Sequence, residues 1–283
     1  MKSTVRVDII LVNWNSGQLA KEALASYVGY QSENIECVVH VVDNGSEDNS
    51  KELLSDSVYH MIDNAQNLGF GKACNKAYPF CSGEYILLLN PDTRSTAVVL
   101  EQLVHFLENN PDFAVVGPQQ IDETKTVSRT CGRFPTFLTA CFEVTGLSKI
   151  APNVFLPAPI MKDWSHLQSK TVDHVMGSYM LIRKSAIEKT GFMDDAYFVY
   201  MEDLDLSKRI HVAGYKTFYD ATCRVFHEGG GTGTKASSKR LSYAIDSRRI
   251  YWKKHLNLPS NLVLNLLTLT IEPILRIVQS ITD

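Results

Sequence analysis

Short apolar runs, each followed by a helical pattern, recur through the first half of the chain. They read VDIILVNW at residues 7–14, ECVVHVVDN at 36–44 and YILLLNPDT at 85–93. Continuous apolar runs of this length are typical of strands buried on both faces, which occur in parallel sheets covered by helices. Helical patterns follow at residues 70–80 and 96–109. The sequence therefore predicts an α/β fold with a mostly parallel central sheet and helices on both faces.

Polar residues end each of these strands. Asn13 and Asn15 follow the first strand, Asp43 ends the second, and Asn90 and Asp92 follow the third. Asn, Asp and Gly also end strands simply because they form turns, and for any single strand end a turn is as good an explanation as a binding site. Three polar strand ends on one edge favour a binding site over three separate turns, because ligands of parallel sheets bind at the carboxyl ends of the strands. We expect a pocket at this edge.

This expected pocket lacks a glycine-rich cradle for phosphates. A dinucleotide-binding domain would need G-x-G-x-x-G after the first strand, where this chain has NWNSG, and no P-loop motif occurs. A divalent cation held by a carboxylate can neutralise phosphates instead. Asp92, at the end of a buried strand, is suited to hold one.

A second group of acids opens a predicted helix in the second half of the chain. It consists of Glu202, Asp203 and Asp205. Asp205 lies four residues before Arg209, so an ordinary helix ion pair explains it equally well. Asp203 is placed to be an N-cap, which is the corresponding structural explanation for that residue.

His227 follows a short apolar strand pattern and precedes the glycines at 229–231. A single histidine is more often structural than a ligand. The glycines after it form a loop that could close over a ligand.

Overall composition restricts the class of protein. A net charge of −3 does not favour nucleic acid as a partner. The six cysteines are scattered, without a C-x-x-C pair, which favours a reduced, cytoplasmic compartment. The first residues run directly into a strand pattern without the apolar segment of a signal peptide, so we expect no secretion.

The C-terminal part of the chain combines a basic stretch with an apolar helical pattern. Residues 235–255 carry seven Lys or Arg against one acid, and an apolar pattern at helical spacing follows over 261–281. Its uninterrupted apolar portion is shorter than the roughly 20 residues needed to span a bilayer. Three alternatives remain: an interfacial helix on anionic lipid, packing onto the rest of the chain, or a homodimer contact.

Six segments taken together resemble family 2 glycosyltransferases of the GT-A fold, most closely bacterial rhamnosyltransferases that use dTDP-rhamnose. They are IILVNWNS, VVDNGSEDNS, NLGFGKACNKA, YILLLNPDT, VMGSYMLIRKSAIEKTGFMDDAYFVYMEDLDLSKRI and VFHEGGG. They occur in the family's order over about residues 7–233. The resemblance implies a GT-A catalytic domain over residues 1–233, followed by a C-terminal helical region over 234–283 that is a candidate for membrane association.

The resemblance also implies a metal site. Asp92 matches the last residue of the D-x-D motif that holds Mg²⁺ or Mn²⁺ against the sugar-nucleotide diphosphate. This chain departs from the motif, because Asn90 stands where the first acid is expected. His227 matches the C-terminal histidine that completes the metal and diphosphate site in related enzymes.

A nucleotide-sugar site follows from the same comparison. The residues that match positions around the base and ribose are Asn13, Asn15 and Asp43. Those that face the ribose and phosphates are Asn67, Gly71, Lys72 and Asn75, and Asn90 and Asp92 belong to the same site.

The matching catalytic positions are at the start of the acidic helix. Asp203 matches the general base that takes the proton from an acceptor hydroxyl, and Glu202 is assigned to acceptor binding. A single displacement of this kind inverts the anomeric configuration. A glycoside hydrolase is the mechanistic rival, but it would not need the diphosphate-binding edge.

The function implied is transfer of L-rhamnose from dTDP-rhamnose to a glycan acceptor, polyprenyl-linked, during synthesis of a bacterial cell-surface polysaccharide such as lipopolysaccharide. The implied location is cytoplasmic, with peripheral contact at the inner membrane. The alternatives are a UDP-hexose or UDP-N-acetylhexosamine donor on the same fold, and a catalytically idle GT-A binding module.

Overall fold

The computed structural model describes residues 4–55, 60–156, 158–229 and 237–282. Gly230 and Gly231 of the predicted closing loop lie outside these residues. The side chains of residues 274–283, which include the end of the apolar pattern, are also outside them.

Strands and helices alternate along the described chain as predicted. The strands are β1 (Val5–Asn13), β2 (Ile35–Asp43), β3 (His60–Asp63), β4 (Tyr85–Leu89), β5 (Thr93–Arg94), β6 (Phe113–Ile121), β7 (Cys131–Gly132), β8 (Lys170–Val172), β9 (His174–Val175), β10 (Tyr179–Arg183) and β11 (Lys216–His227). The helices are α1 (Gly17–Leu24), α2 (Ser50–Ser55), α3 (Phe70–Ala77), α4 (Ala97–Asn109), α5 (Phe137–Val144), α6 (Leu147–Ile150), α7 (Lys184–Thr190), α8 (Glu202–Val212), α9 (Ser237–His255) and α10 (Leu258–Thr282).

The main sheet of the described chain has the order β3-β2-β1-β4-β10-β6-β11-β5, with β8 also paired to β11. Its first four strands are parallel, and so are β6 and β11. β10 runs antiparallel between β4 and β6. Because of this reversal, the residues just before β10 lie at the carboxyl edge of β4, where the Asn90 N–H donates to the Ser178 carbonyl at 3.0 Å.

Alternate side chains of β1 enter two different cores, as expected for a strand covered on both faces. Ile9 and Leu11 pack with α1 and α4, whereas Ile10 packs with α3, α7 and α8. A fully buried aliphatic side chain contributes about 1.5–3 kcal/mol relative to an exposed one. The predicted α/β class, with helices on both faces of a largely parallel sheet, is confirmed.

The C-terminal helices pack onto the rest of the chain through one face. Trp252 of α9 and Leu264 of α10 are fully buried in a cluster with Val144 of α5. Arg248 of α9 lies between Glu143 and Glu272, and it forms ion pairs with both. Among the described residues, no helix combines the length and the apolar character needed to cross a membrane.

Candidate active site

A cleft of about 810 Å³ opens at the carboxyl edge of the sheet, where polar strand ends were expected to form a pocket. The predicted site residues that line it are Asn67, Asn90, Asp92, Glu202, Asp203 and His227. The predicted site residues that do not line it are Asn13, Asn15, Asp43, Gly71, Lys72 and Asn75.

The strand ends of β1 and β2 form a buried hydrogen-bond network below the cleft. Asn13 donates through Nδ2 to Asp43 Oδ1 at 2.9 Å and to Ser46 Oγ at 3.1 Å. The Ser46 N–H donates to Asp43 Oδ2 at 3.0 Å, and Asn15 accepts from the Glu47 N–H at 2.8 Å. Because Asn13 and Asp43 are both fully buried, they shape the loops below the cleft; a contact with a base or ribose stays a prediction.

Asn67 organises the segment that leads into α3. Its Oδ1 accepts from the Gly69 N–H and from Asn44 Nδ2, each at 2.9 Å. Asn44 in turn accepts through Oδ1 from the Leu68 N–H at 3.1 Å. The two asparagines therefore hold this segment at the edge of the cleft, which both of them line.

The first turns of α3 pack against another part of the chain. Gly71 and Asn75 are four residues apart, so they share one helix face, and that face packs against the segment containing Met193. Asn75 Nδ2 donates to the Met193 carbonyl at 2.8 Å and to Asp195 Oδ1 at 2.7 Å. Lys72 is one residue further along the helix than Gly71; it is exposed and does not line the cleft. Neither Lys72 nor Asn75 lines the cleft, so a contact of either residue with a ribose or phosphate stays a prediction.

Gly69 allows a close contact between two loops of the site. Its φ is +87°, and a Cβ at this position would lie 2.1 Å from the Phe198 carbonyl oxygen. The neighbouring Phe70 N–H donates to the same carbonyl at 3.0 Å. Glycine is required here for both its backbone angle and its lack of a side chain.

Substituting Gly69→Ala should destabilise the protein by about 1–3 kcal/mol more than Gly214→Ala, because overpacking adds to backbone strain. Gly214 is the matched control, since its φ is +99° but a Cβ there would meet nothing within 4 Å. Urea unfolding of both variants would measure the difference. Equal losses of stability would mean that the Phe198 contact is unimportant.

The residues 198–201, called the 198–201 segment below, form one wall of the cleft and are held by α9. Tyr243 packs its ring against Phe198 with centroids 4.6 Å apart. Ser247 Oγ donates to the Val199 carbonyl at 2.8 Å, and Arg240 Nε donates to Tyr200 Oη at 3.0 Å. Residues 240, 243 and 247 share one helix face.

The last two residues of the 198–201 segment have an unusual backbone conformation. Tyr200 and Met201 both have positive φ, of 70° and 69°, although neither is glycine. Such conformations cost energy and persist where surrounding contacts enforce them, often at functional sites. The contacts from α9 and Gly69 therefore fix the backbone that leads directly into Glu202 and Asp203.

Asp203 lies in the first turn of α8 and faces the cleft. Its Oδ2 accepts from the Gly177 N–H at 2.8 Å, and His174 Nε2 lies 3.6 Å from the same oxygen. The N-cap position is occupied by Met201, so N-capping does not explain Asp203. The carboxylate is held in place from the segment before β10, with 18 % of the side chain exposed.

His174 was not identified from the sequence. It is buried, and its Nδ1 is 3.0 Å from Ser207 Oγ. Burial lowers the pKa of His174, although the nearby Asp203 and Asp173 act in the opposite direction. A neutral imidazole therefore lies beside the Asp203 carboxylate. The sequence signal was weak, because a histidine in an apolar run is usually structural.

Glu202 lines the cleft floor and is only 5 % exposed. Its Oε2 has no hydrogen-bond partner among the described residues. Burial, together with the neighbouring Asp203 charge, raises the pKa of Glu202 to about 8. Two adjacent acids therefore have different environments, and Glu202 is protonated at neutral pH.

Asp92 and His227 meet across the strand pair β5 and β11. Thr93 is paired with His227 in this ladder, which brings the two side chains together. His227 Nε2 lies 3.3 Å from Asp92 Oδ1, and each side chain is 12 % exposed. The two residues are 135 positions apart in sequence, and the pairing of β5 with β11 brings them to one edge of the cleft.

Asp205 serves a structural role, as the ion-pair interpretation predicted. It is fully buried and pairs with Arg209 at 2.7 Å, and it also contacts Lys254 and His255 of α9. Burial alone raises the pKa of a carboxyl, but hydrogen bonds from His255, Lys254 and Arg209 bring that of Asp205 down to about 2. Asp205 therefore ties α8 to α9.

A separate buried group of metal-ligating residue types lies remote from the cleft. Asp8, His40 and Cys81 approach one another within 4.8 Å. Asp8 is hydrogen-bonded to His40 at 2.9 Å and accepts from the Gly83 N–H at 2.6 Å. Asp8 is five residues before the end of β1, about 16 Å along the strand from the carboxyl edge. This group is therefore distinct from the Asp92 and His227 pair.

The chain is similar in sequence to known glycosyltransferases. Residues 8–191 match the family model described as Glycosyl transferase family 2. The chain is 24 % identical over 232 residues to the N-acetylglucosaminyl-diphospho-decaprenol L-rhamnosyltransferase of Mycobacterium tuberculosis, covering 77 % of this chain and 75 % of that protein. It is 26 % identical over 208 residues to the low-salt glycan biosynthesis hexosyltransferase Agl10 of Haloferax volcanii, covering 72 % and 61 %.

A solved structure is similar in fold. The mannosyltransferase PcManGT of Pyrobaculum calidifontis, in complex with GDP-Man and Mn²⁺, superposes with a TM-score of 0.56 at 14 % identity, over 93 % of this chain and 74 % of that one. At this identity the likeness shows the fold alone. The predicted GT-A fold is confirmed.

Proposed function

Since the chain belongs to glycosyl transferase family 2, we propose that it moves L-rhamnose from dTDP-rhamnose to a lipid-linked glycan acceptor. Family membership makes it a glycosyltransferase, and the donor and acceptor are the proposed part. The similarity to a decaprenol-linked rhamnosyltransferase supports both choices. The product would enter a bacterial cell-surface polysaccharide.

The observation that carries the proposal is the presence of two different acid sites on one cleft. Asp203 is held by the Gly177 N–H and has a neutral histidine beside it. Asp92 is paired instead with His227. A proton acceptor and a place for a diphosphate are the two requirements of a direct sugar transfer from a nucleotide.

Asp92 and His227 are suited to a divalent cation. Their ligand atoms already converge at 3.3 Å. A carboxylate oxygen suits Mn²⁺ and Mg²⁺ when substrate phosphates complete the coordination, and an imidazole nitrogen is a better ligand for Mn²⁺ than for the harder Mg²⁺. Asn90 adds an amide oxygen but no charge in this part of the cleft. A cation held here would neutralise the charge that develops on the leaving diphosphate.

The proposed chemistry is a single displacement at the anomeric carbon. Asp203 accepts the proton of an acceptor hydroxyl as its oxygen bonds to C1 of the donor sugar, and the bond from C1 to the diphosphate breaks with its electron pair. The sugar inverts, because attack comes from the face opposite the leaving group. Gly177 and His174 position the carboxylate and keep it from rotating away.

The proposed compartment is the cytoplasm, at the cytoplasmic face of the inner membrane. The six cysteines are all free thiols, and five of them are buried. Free buried thiols are common in reducing compartments.

Replacing Glu202 by glutamine should retain transfer at neutral pH, because glutamine resembles the protonated acid. The raised pKa of Glu202, about 8 against an ordinary 4.5, means that its stabilising contribution is fully present below about pH 4.5 and is lost as the pH rises towards 8. The free energy of unfolding of the wild type should therefore fall relative to Glu202→Gln over that interval. Urea unfolding at several pH values would measure this. Parallel pH profiles for the two proteins would contradict a protonated Glu202.

Donor specificity is tested by titrating the purified full chain with dTDP-rhamnose, UDP-glucose, UDP-galactose and UDP-N-acetylglucosamine, with and without Mn²⁺, and by measuring donor hydrolysis. Tightest Mn²⁺-dependent binding of dTDP-rhamnose, with turnover, is the expected result. Preference for a UDP-sugar would overturn the rhamnosyl assignment. No binding of any donor would favour the idle binding module.

A further inference from the structure

The solvent-facing side of α10 is apolar over at least three turns. Leu258, Leu262, Leu266 and Leu269 follow one another at spacings of four, four and three residues, so they lie in one row. Each is between 61 and 69 % exposed, and the adjacent Val263 is 44 % exposed. We call this row, with Val263, the outer face of α10.

The opposite side of the same helix is occupied by the protein itself. Leu264 is fully buried against α5 and α9, and Glu272 pairs with Arg248. An ordinary surface helix has one apolar side and one polar side. Here the side that meets the protein combines Leu264 with the buried Thr268 and Glu272, whereas the side that meets solvent is apolar. A contiguous exposed row of this kind marks a surface that something covers.

Cations border the outer face. Residues 239–273 contain six Lys or Arg and two acids, in a chain whose net charge is −3. Arg249 of α9 donates through Nε to Asn265 Oδ1 at 2.6 Å, and Asn265 is adjacent to the leucine row on α10. Lys253 is exposed on the same helix as Arg249. Two of the six cations are engaged by acids of the protein: Arg248 is buried in its pairs with Glu143 and Glu272, and Lys254 pairs with Asp194 and Asp205.

We propose that the outer face of α10 binds the surface of a membrane that contains anionic lipid, with the helix lying in the interface. Leucines that enter the boundary between headgroups and acyl chains, with cations at headgroup level, are the combination that holds interfacial helices. Among the described residues no helix is able to cross a bilayer, so the contact is peripheral.

A second copy of the chain is a poorer occupant of this face. A two-fold dimer through α10 would place the surface around Arg249 and Lys253 of one protomer next to the same surface of its partner. Like charges at such a contact oppose association. An anionic lipid surface satisfies the leucines and the cations together.

Binding through α10 also places the cleft near the membrane. Tyr243, near the start of α9, lines the cleft, and α9 leads directly to α10. A helix of 19 residues is about 28 Å long, which brings the cleft within reach of a lipid-borne glycan. This consequence rests on the proposed function, whereas the membrane contact itself does not.

Co-sedimentation of the full chain with vesicles tests the proposal. The vesicles would contain phosphatidylcholine alone or phosphatidylcholine with phosphatidylglycerol. The wild type should bind the second kind, and more weakly as salt rises. The double variant Leu262→Asn with Leu266→Asn should bind at least about tenfold more weakly, since two leucines leave the interface.

The matched control is Val98→Asn with Val212→Asn, which removes two exposed apolar side chains from α4 and α8. It should bind vesicles like the wild type. Thermal unfolding and donor binding should be unchanged in both double variants. These two measurements distinguish a loss of membrane contact from a defect in folding or in the active site. Equal vesicle binding by all three proteins would overturn the proposal, as would failure of the wild type to distinguish the two kinds of vesicle. A wild-type dimer that Leu262→Asn with Leu266→Asn converts to a monomer would assign the face to a second copy.

Discussion

Replacing Asp203 by asparagine is expected to reduce sugar transfer by about a hundred- to ten-thousandfold, the usual contribution of a positioned general base. Asparagine has the same shape and keeps an oxygen that can accept from the Gly177 N–H at the 2.8 Å position. Donor affinity should therefore change by no more than about twofold. Single-turnover rates and equilibrium donor binding, measured on the same preparation, separate the two effects.

Asp205→Asn is the matched control for Asp203→Asn. It removes an acid two residues along the same helix, where the carboxylate is fully buried and bonded to Arg209, Lys254 and His255. The depression of its pKa from 3.8 to about 2 corresponds to about 2 kcal/mol of stability at neutral pH, which is lost as the pH falls through about 2. Asp205→Asn should therefore lower the stability of the protein, while the fraction that remains folded keeps its turnover. Near-normal turnover of Asp203→Asn would mean that another group accepts the proton.

Replacing Asp92 by asparagine should weaken donor binding and remove its dependence on Mn²⁺, with a loss of at least about a hundredfold in affinity at saturating metal. The reason is that Asp92 is the one carboxylate that joins His227 at this edge of the cleft, among the described residues that line it. Isothermal titration with dTDP-rhamnose, with and without Mn²⁺, would give both quantities. Wild-type affinity in Asp92→Asn would contradict a metal role.

Asn90→Asp is the informative companion to that variant. It restores the acid that the D-x-D pattern expects, at a position that already lines the cleft. A second carboxylate should raise metal affinity, so half-maximal donor binding should need less Mn²⁺. If metal dependence is unchanged in Asn90→Asp, residue 90 is too far from the cation to act as a ligand.

The strands and the edge on which the cleft lies were predictable, because they depend on local patterns. The run at residues 85–89 is apolar without interruption, and it is buried throughout as β4. The polar residues after β1, β2 and β4 meet at one edge for the general reason that parallel strands share a direction. Asp92 could be chosen on this basis together with the family resemblance, whereas the choice of Asp203, in the first turn of α8, depended on the resemblance.

The α3 assignments show what such a transfer of roles leaves open. Asn75 has the residue type expected near a phosphate, yet it is fully engaged by Met193 and Asp195. Which side of a short helix meets the cleft depends on packing partners far away in sequence. A pattern of residue types within α3 does not contain that information.

The sequence by itself determined the α/β class, the succession of strands and helices, and the residues with ligand chemistry at strand ends, since hydrophobic period and turn propensity are local properties. Only the tertiary structure decided that β10 runs backwards beside β4, that His174 stands next to Asp203, and that α9 holds the 198–201 segment. The same holds for the outer face of α10, since the sequence shows its leucines but not which of them the protein leaves uncovered. These features arise from contacts between residues tens to more than a hundred positions apart, and such contacts are selected by the packing of the whole chain.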